Sequence, residues 1–289
     1  MNCYNGEQYL QEALDSILAQ TYNNWELIFW DNQSTDKSAD IFLSYHDSRL
    51  KYFYAPQHTN LGKARNLAIE KTKGQWLAFL DVDDWWLPKK LEKQIPLFDD
   101  HDVGLVYGNA WEFFEKKNKK IIYKKESLPK GRILNELMRE YAISSATYVI
   151  RKKSLESLEY YFNDNFHIIG DFDINLRLAV KWKINCLQEP VAYIRKHDKN
   201  LSLLYREKEV DELKIWHEEM KNNKQISSQS NFNKVLLIAN YLEAMQMIMK
   251  SEFFKSLIIV AKYPFCFNKI KLMLALLLPK FLLKKIKNY

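Results

Sequence analysis

Trp76-Leu77-Ala78-Phe79-Leu80-Asp81-Val82-Asp83-Asp84-Trp85-Trp86 is the stretch on which the reading of this chain turns. Five consecutive apolar residues, 76–80, predict a strand buried on both faces of a sheet. Directly behind them stand three carboxylates within four positions. Charges crowded so closely repel one another, and a cation at the end of the strand relieves that repulsion. Hard oxygen donors suit Mg²⁺ or Mn²⁺, ions that take one or two protein carboxylates and complete their shell with phosphate and water. The same residues could equally form a solvated acidic turn. Position favours a ligand site, because open α/β sheets bind ligands beyond the carboxyl ends of their strands.

Working outward, helix and strand patterns alternate. Tyr9, Leu10, Ala13, Leu14, Ile17 and Leu18 recur at helical spacing, and residues 25–30 read as a strand. That strand runs into Asp31-Asn32-Gln33-Ser34-Thr35-Asp36, a polar turn that can cap a helix over 37–45. A short strand over 51–54 leads to Asn60-Leu61-Gly62 and a helix over 63–73, closed by Gly74. Such alternation indicates an α/β fold, a mostly parallel sheet flanked by helices. The first strand of a doubly wound sheet is missing from this reading, since residues 1–6 look like a loop. Either the start is truncated or the sheet manages without that strand.

Downstream, a helix is expected over 87–98, a strand over 103–109 and a strand pair over 111–125 with a lysine-rich turn. Then come a helix over 133–141, a strand over 146–151 and a helix over 154–162. Gly170-Asp171-Phe172-Asp173 opens a further helix, and a last strand covers 191–195. From about residue 207 the pattern is helical only. The expected organisation is a sheet-bearing domain over 1–205 and a helical region over 206–289.

Composition sets outer limits. A chain of 289 residues that is 47% hydrophobic can bury a large core. A net charge of +7 suits phosphate, nucleic acid or an anionic membrane. Its basic residues are not interleaved with stacking aromatics, so no nucleic-acid partner is expected. Three cysteines without metal-ligand spacing argue against a disulfide framework, and nothing resembles a signal peptide. Both point to a reducing, cytoplasmic setting. No P-loop and no G-x-G-x-x-G motif occurs.

Several segments, taken in order, resemble the family 2 glycosyltransferases with the GT-A fold, enzymes of cell-surface polysaccharide and lipopolysaccharide synthesis. They are Tyr4-Asn5-Gly6 with the helix through Gln20-Thr21-Tyr22, Asp31 to Asp36, Asn60-Leu61-Gly62-Lys63-Ala64-Arg65-Asn66, Asp81-Val82-Asp83-Asp84, Gly170-Asp171, and Arg195 with His197. The resemblance covers roughly residues 2–202. It implies a metal-dependent, inverting transfer of a sugar from a nucleotide-diphosphate donor, by default a UDP-sugar, to a glycan or lipid-linked glycan. By resemblance Asp83 ligates Mn²⁺ or Mg²⁺, with Asp84 sharing the ion and Asp81 contacting ribose or the ion. Asp31 reads the base, on which Tyr4 could stack, and His197 lies near the diphosphate or the metal. Lys63 and Arg65, cations in the first turn of a helix, oppose its dipole; an anion such as the diphosphate would offset that cost, and a plain exposed basic face is the alternative. Asp171 is the general base on the acceptor hydroxyl.

The chain departs from the family pattern in carrying Asn32 where a second Asp is frequent, Gln33 where Gly is frequent, and Gly170 where Glu is usual. A non-catalytic family member that binds without transferring is the competing reading. In the tail, Phe281, Leu282, Leu283 and Ile286 among Lys280, Lys284, Lys285 and Lys287 suggest a helix lying in a membrane interface. Packing of a helical subdomain is the alternative. With a lipid-linked acceptor, the expected location becomes the cytoplasmic face of the inner membrane.

Overall fold

A strand does open the chain. In the computed structural model, which describes residues 1–279 and Leu283, Asn2–Cys3 (β1) runs parallel to Leu27–Asp31 (β2), with Asn2 opposite Trp30 and Cys3 opposite Asp31. The expected missing first strand is thereby corrected. Trp30 N–H donates to the Met1 carbonyl at 2.9 Å and Asn32 N–H to that of Cys3 at 2.8 Å. Two residues carry no readable period, which is why the sequence pattern resembled a loop. Leu50–Tyr54 (β3) pairs with the other edge of β2, also in parallel. A cavity of about 700 Å³ is lined by residues 24–28 at β2 and by 74–79; of the candidate site residues, only Arg65 lines it.

Helices cover this three-stranded sheet. Leu10–Leu18 (α1) buries Leu10, Ala13, Leu14 and Ile17 on one face; of the other expected apolar positions, Tyr9 lies just ahead of the helix and Leu18 is only half-buried. Ser38–Leu43 (α2) adds Phe42, stacked 4.3 Å from Phe29. In Leu61–Ile69 (α3), Asn60 caps the N-terminus by accepting from Lys63 N–H at 2.9 Å.

The remaining strands form a six-stranded sheet in the order β4-β8-β6-β9-β5, with β7 beside β6. They are Trp76–Ala78 (β4), Trp85–Trp86 (β5), Val103–Phe114 (β6), Lys119–Ile122 (β7), Val149–Arg151 (β8) and Lys183–Lys196 (β9). Parallel pairing, expected for most of the sheet, is found within β1-β2-β3 and between β6 and β9. Every other pairing is antiparallel. The five-residue apolar run is a strand only as far as Ala78. Phe79 and Leu80 have left the ladder but remain buried, Phe79 lying 5.4 Å from the Tyr148 ring and 5.6 Å from Phe162. Apolarity here reports packing, not pairing.

Between β5 and β6 lies Lys90–Gln94 (α4), which ends in a 3₁₀ turn, Ile95–Phe98, with Pro96 in its first positions. Leu134–Arg139 (α5) and Lys152–Glu156 (α6) are shorter than their patterns suggested, and Gly170–Lys181 (α7) starts where expected. Lys90 is wholly buried; its Nζ donates to Gln94 Oε1 at 2.6 Å and lies 4.7 Å over the Trp86 ring. Burial pulls its ammonium down to about 7. Between about pH 7 and the ordinary lysine range, the unfolded chain therefore holds a proton that the fold does not, and stability rises with pH. In urea titrations, wild type should gain up to about 1.4 kcal/mol per pH unit over this window relative to Lys90→Met. Equal slopes for the two proteins would refute a neutralised Lys90.

From Leu201 onward the chain forms a second compact unit, the first being Met1–Asn200. It contains Leu201–Leu204 (α8), Arg206–Met220 (α9), Lys224–Ser227 (α10), Phe232–Lys250 (α11), Phe253–Lys262 (α12) and Phe267–Leu277 (α13). Ala244, Ile248, Val260, Tyr263, Leu272 and Ala275 form its inner cluster with Leu283. The interfacial helix expected around 280–287 lies outside the described residues, Leu283 excepted.

Candidate active site

Arg65 is the centre of the site. It projects from α3 and is buried to 4% exposure between Phe79 and Phe162, whose ring centroids lie 5.9 and 5.2 Å from its guanidinium carbon. Its Nη2 donates to Asp81 Oδ1 at 3.0 Å, and its Nη1 to both oxygens of Asp171 at 3.1 and 3.0 Å. Burial alone would lower the guanidinium; the two carboxylates, Asp171 first, outweigh it and hold the cation firmly protonated. The acidic turn and the start of α7 are thus tied to one side chain.

The rest of the 60–66 motif fixes the segment leading to Asp171. Asn66 exchanges two hydrogen bonds with the Phe162 backbone at 2.9 and 3.0 Å, and Asn60 Nδ2 donates to the Asp164 carbonyl at 2.7 Å. Gly62 lets that segment approach; a Cβ there would stand 3.2 Å from the Asn163 carbonyl oxygen. Lys63 is exposed beside them in the first turn of α3.

Two residues that the sequence reading missed complete this half of the site. Tyr148, wholly buried, donates to Asp171 Oδ1, and Ser145 donates to Asp81 Oδ2 at 3.1 Å. Burial and then the Asp171 charge push the Tyr148 phenol well above its ordinary range, so it stays a donor. Tyr141 hydroxyl also supports α7, donating to the Asp171 carbonyl at 3.0 Å. A carboxylate accepts about four hydrogen bonds. Arg65 and Tyr148 occupy three of those positions on Asp171, which leaves room for one further proton donor.

The other half surrounds Asp83. Its Oδ2 accepts from His197 Nε2 at 3.0 Å and from Asn200 Nδ2 at 3.1 Å, while its carbonyl accepts from Arg195 Nε at 3.0 Å. Lys199 N–H donates to His197 Nδ1 at 3.2 Å, which assigns the ring proton to Nε2. So arranged, His197 orients Asp83. Arg195 is itself locked: Glu12 accepts from it, Glu115 lies at 3.5 Å, and the rings of Tyr9 and Trp85 stand 4.5 and 4.6 Å away. Its backbone N–H donates to Asp84 Oδ1 at 2.9 Å, turning Asp84 inward to 6% exposure. Burial first, then Asp83 and Asp81, push the Asp84 carboxyl well above the carboxylate range.

These residues fit a divalent ion in a restricted sense. Asp83 is a quarter exposed (25%), and both donors lie on Oδ2, leaving Oδ1 without a hydrogen-bond partner among the described residues. No cluster of three or more His, Cys, Asp or Glu side chains converges as a metal cage among the described residues. One carboxylate completed by phosphate and water is, however, an ordinary site for Mg²⁺. Asp81 is committed to Arg65 and Ser145, and Asp84 to Arg195.

Asp31 and Tyr4 have other partners. Asp31 is wholly buried at the end of β2, where Oδ1 accepts from Ser34 N–H at 2.7 Å and Oδ2 from Tyr52 hydroxyl at 2.6 Å. It braces the turn in which Gln33 adopts a left-handed φ of 68°, a conformation that favours glycine. Beside this turn Tyr4 is exposed, with its ring 4.4 Å from that of His58.

Comparison with known proteins agrees with this architecture. The S. aureus protein TarS, solved in complex with UDP, superposes with a TM-score of 0.63 at 20% identity, over 82% of this chain and 68% of that one. The mannosyltransferase PcManGT from Pyrobaculum calidifontis, solved with GDP-Man and Mn²⁺, gives 0.59 at 15% identity, over 99% and 79%. The fold is accordingly that of the GT-A glycosyltransferases. In sequence, the chain is 33% identical over 162 residues to the Escherichia coli UDP-Glc:alpha-D-GlcNAc-diphosphoundecaprenol beta-1,3-glucosyltransferase WfgD, covering 56% of this chain and 62% of that protein. It is 39% identical over 94 residues to the putative teichuronic acid biosynthesis glycosyltransferase TuaG of Bacillus subtilis, covering 32% and 37%. The match thus spans less than two thirds of either relative. The Glycosyl transferase family 2 model matches residues 1–158, more than half of the sequence, and the chain belongs to that family.

Proposed function

We propose that this chain transfers a sugar, with inversion, from a UDP-sugar to a glycan or lipid-linked glycan acceptor in cell-surface polysaccharide synthesis. The observation that carries the proposal is Arg65 holding Asp81 and Asp171 at once. A base and a donor-binding turn must share one site for a direct displacement, and this guanidinium couples them. The E. coli relative, named for UDP-Glc and a diphosphoundecaprenol-linked acceptor, supports the substrate classes.

In this reading, Asp171 accepts the acceptor hydroxyl proton at its remaining site, aligned by Arg65 and Tyr148. The hydroxyl oxygen bonds to the anomeric carbon as the sugar–phosphate bond breaks from the opposite face, its electron pair leaving with UDP. Asp83, oriented by His197 and Asn200, would hold Mn²⁺ or Mg²⁺; when bound, that ion supplies Lewis-acid neutralisation of the departing diphosphate. Lys63 adds a cation near the phosphates, Tyr4 offers an exposed ring to the base, and Asp31 fixes the turn beneath it. Asp84 anchors Arg195 and keeps the acidic turn in register.

UDP release measured across a set of UDP-sugars tests the proposal. Release should require both an acceptor and a divalent ion, and should vanish on chelation. If every donor binds and none turns over with any glycan or lipid-linked acceptor, a binding role replaces the transferase.

A further inference from the structure

The outer side of α12 and α13 is apolar, and its side chains are exposed among the described residues. On α12, Ser256 and Val260 point inward and are buried, while Phe254 and Ile258, on the opposite face, are 83% and 58% exposed. On α13, Leu272 and Ala275 are buried, whereas Ile270, Leu274 and Leu277 form an exposed stripe at i, i+4 and i+7. Between the helices Phe265 is 83% exposed. Both helices thus carry apolar side chains on the side turned away from the inner cluster as well as on the side packed into it, the pattern of a helix lying in a membrane interface when lysines flank it. Contiguous exposed patches of this kind mark interaction surfaces.

Charge identifies the partner. Residues 251–279 contain four lysines, Lys255, Lys262, Lys269 and Lys271, against one acid, Glu252. Lys255 pairs with Glu252 at 2.7 Å, and Lys269 caps α12 through the Ala261 and Tyr263 carbonyls at 3.1 and 2.7 Å. Lys262 and Lys271 remain exposed, the latter with its Nζ 4.6 Å over the Phe267 ring. A second copy would bring like charge against like charge, whereas an anionic bilayer meets both the aromatic side chains and the lysines. We infer that α12 and α13 form a membrane-docking surface, with Phe254 and Phe265 entering the headgroup boundary and Lys262 and Lys271 contacting anionic lipid. Among the described residues no helix is long and apolar enough to cross a membrane, so this contact lies in the interface plane.

The surface extends the lipid-linked acceptor reading but is tested without donor or acceptor, so either can fail alone. Flotation of the full chain with phosphatidylcholine vesicles, with and without phosphatidylglycerol, is the experiment. Wild type should float with the anionic vesicles and be released by high salt. Phe254→Ser/Phe265→Ser should weaken binding by about tenfold or more, from the apolar burial lost. Lys262→Glu/Lys271→Glu should abolish the preference for phosphatidylglycerol. All of these side chains are exposed, so circular dichroism and thermal midpoints should match wild type. No flotation with either vesicle overturns the inference, as does full binding by the Phe254→Ser/Phe265→Ser chain. Self-association of the free chain that the same pair of substitutions abolishes, without vesicle binding, would assign the face to a second copy.

Discussion

Asp171→Asn is expected to reduce sugar transfer by about 10²–10⁴-fold, the range that a positioned general base contributes, with donor affinity close to wild type. The amide retains an oxygen that can accept from Tyr148 and Arg65, so the local frame survives. It lacks the basic lone pair that would take the acceptor proton. Arg65 keeps Asp81 as its anionic partner at 3.0 Å, and folding should be little affected. A variant keeping a tenth or more of wild-type transfer would remove Asp171 from the base role. Asp173 offers no ready replacement, because it is wholly buried and paired to Arg177 at 2.7 Å.

The second large effect concerns stability. Arg65→Met removes the cation between Asp81 and Asp171 while filling much of the same space. Breaking a buried pair from one side costs about 3–5 kcal/mol, because a charge is left behind unpaired. Water reaches Asp81 and Asp171, whose side chains are 34% and 22% exposed, so about 2–4 kcal/mol is the expected loss. Arg65→Lys should lie between the two, since a single ammonium cannot fork to both carboxylates. Urea unfolding gives the value directly. A loss below about 1 kcal/mol for Arg65→Met would place it among ordinary surface pairs and dissolve the proposed coupling of the site's two halves.

Legibility in the sequence followed physical cause. Periodicity exposed α1 because its apolar face is regular, and the abrupt change from Leu80 to Asp81 marked the end of the sheet core. Asn60 marked the start of α3 by ordinary cap chemistry, whereas the helix stops at Ile69 with Glu70 as its C-cap, short of the expected end at Gly74. Two-residue strands such as β1 and β5 have no period to detect, and β9 was underestimated because Pro190 and the polar residues 188–189 interrupt its pattern. In the site, Asp81, Asp83, Asp171, Arg65 and His197 stood in the sequence as charged residues at informative positions. Their pairing did not, since Arg65 meets a partner 106 residues away. Tyr148, Ser145, Asn66 and Asn200 are neutral side chains whose roles arise only from what folding places beside them. Asp31 and Asp84 illustrate the converse: both are acidic and prominent in the sequence, yet the fold turns them inward to Tyr52 and Arg195.

Titration of UDP binding with and without Mn²⁺, in wild type and Asp83→Asn, tests the division of labour most directly. Mn²⁺ should tighten UDP binding by wild type at least tenfold and leave Asp83→Asn almost unchanged, while Asp171→Asn responds as wild type does. An equal Mn²⁺ response in Asp83→Asn, or its loss in Asp171→Asn, would contradict the assignment of the ion to one carboxylate and of the proton to the other.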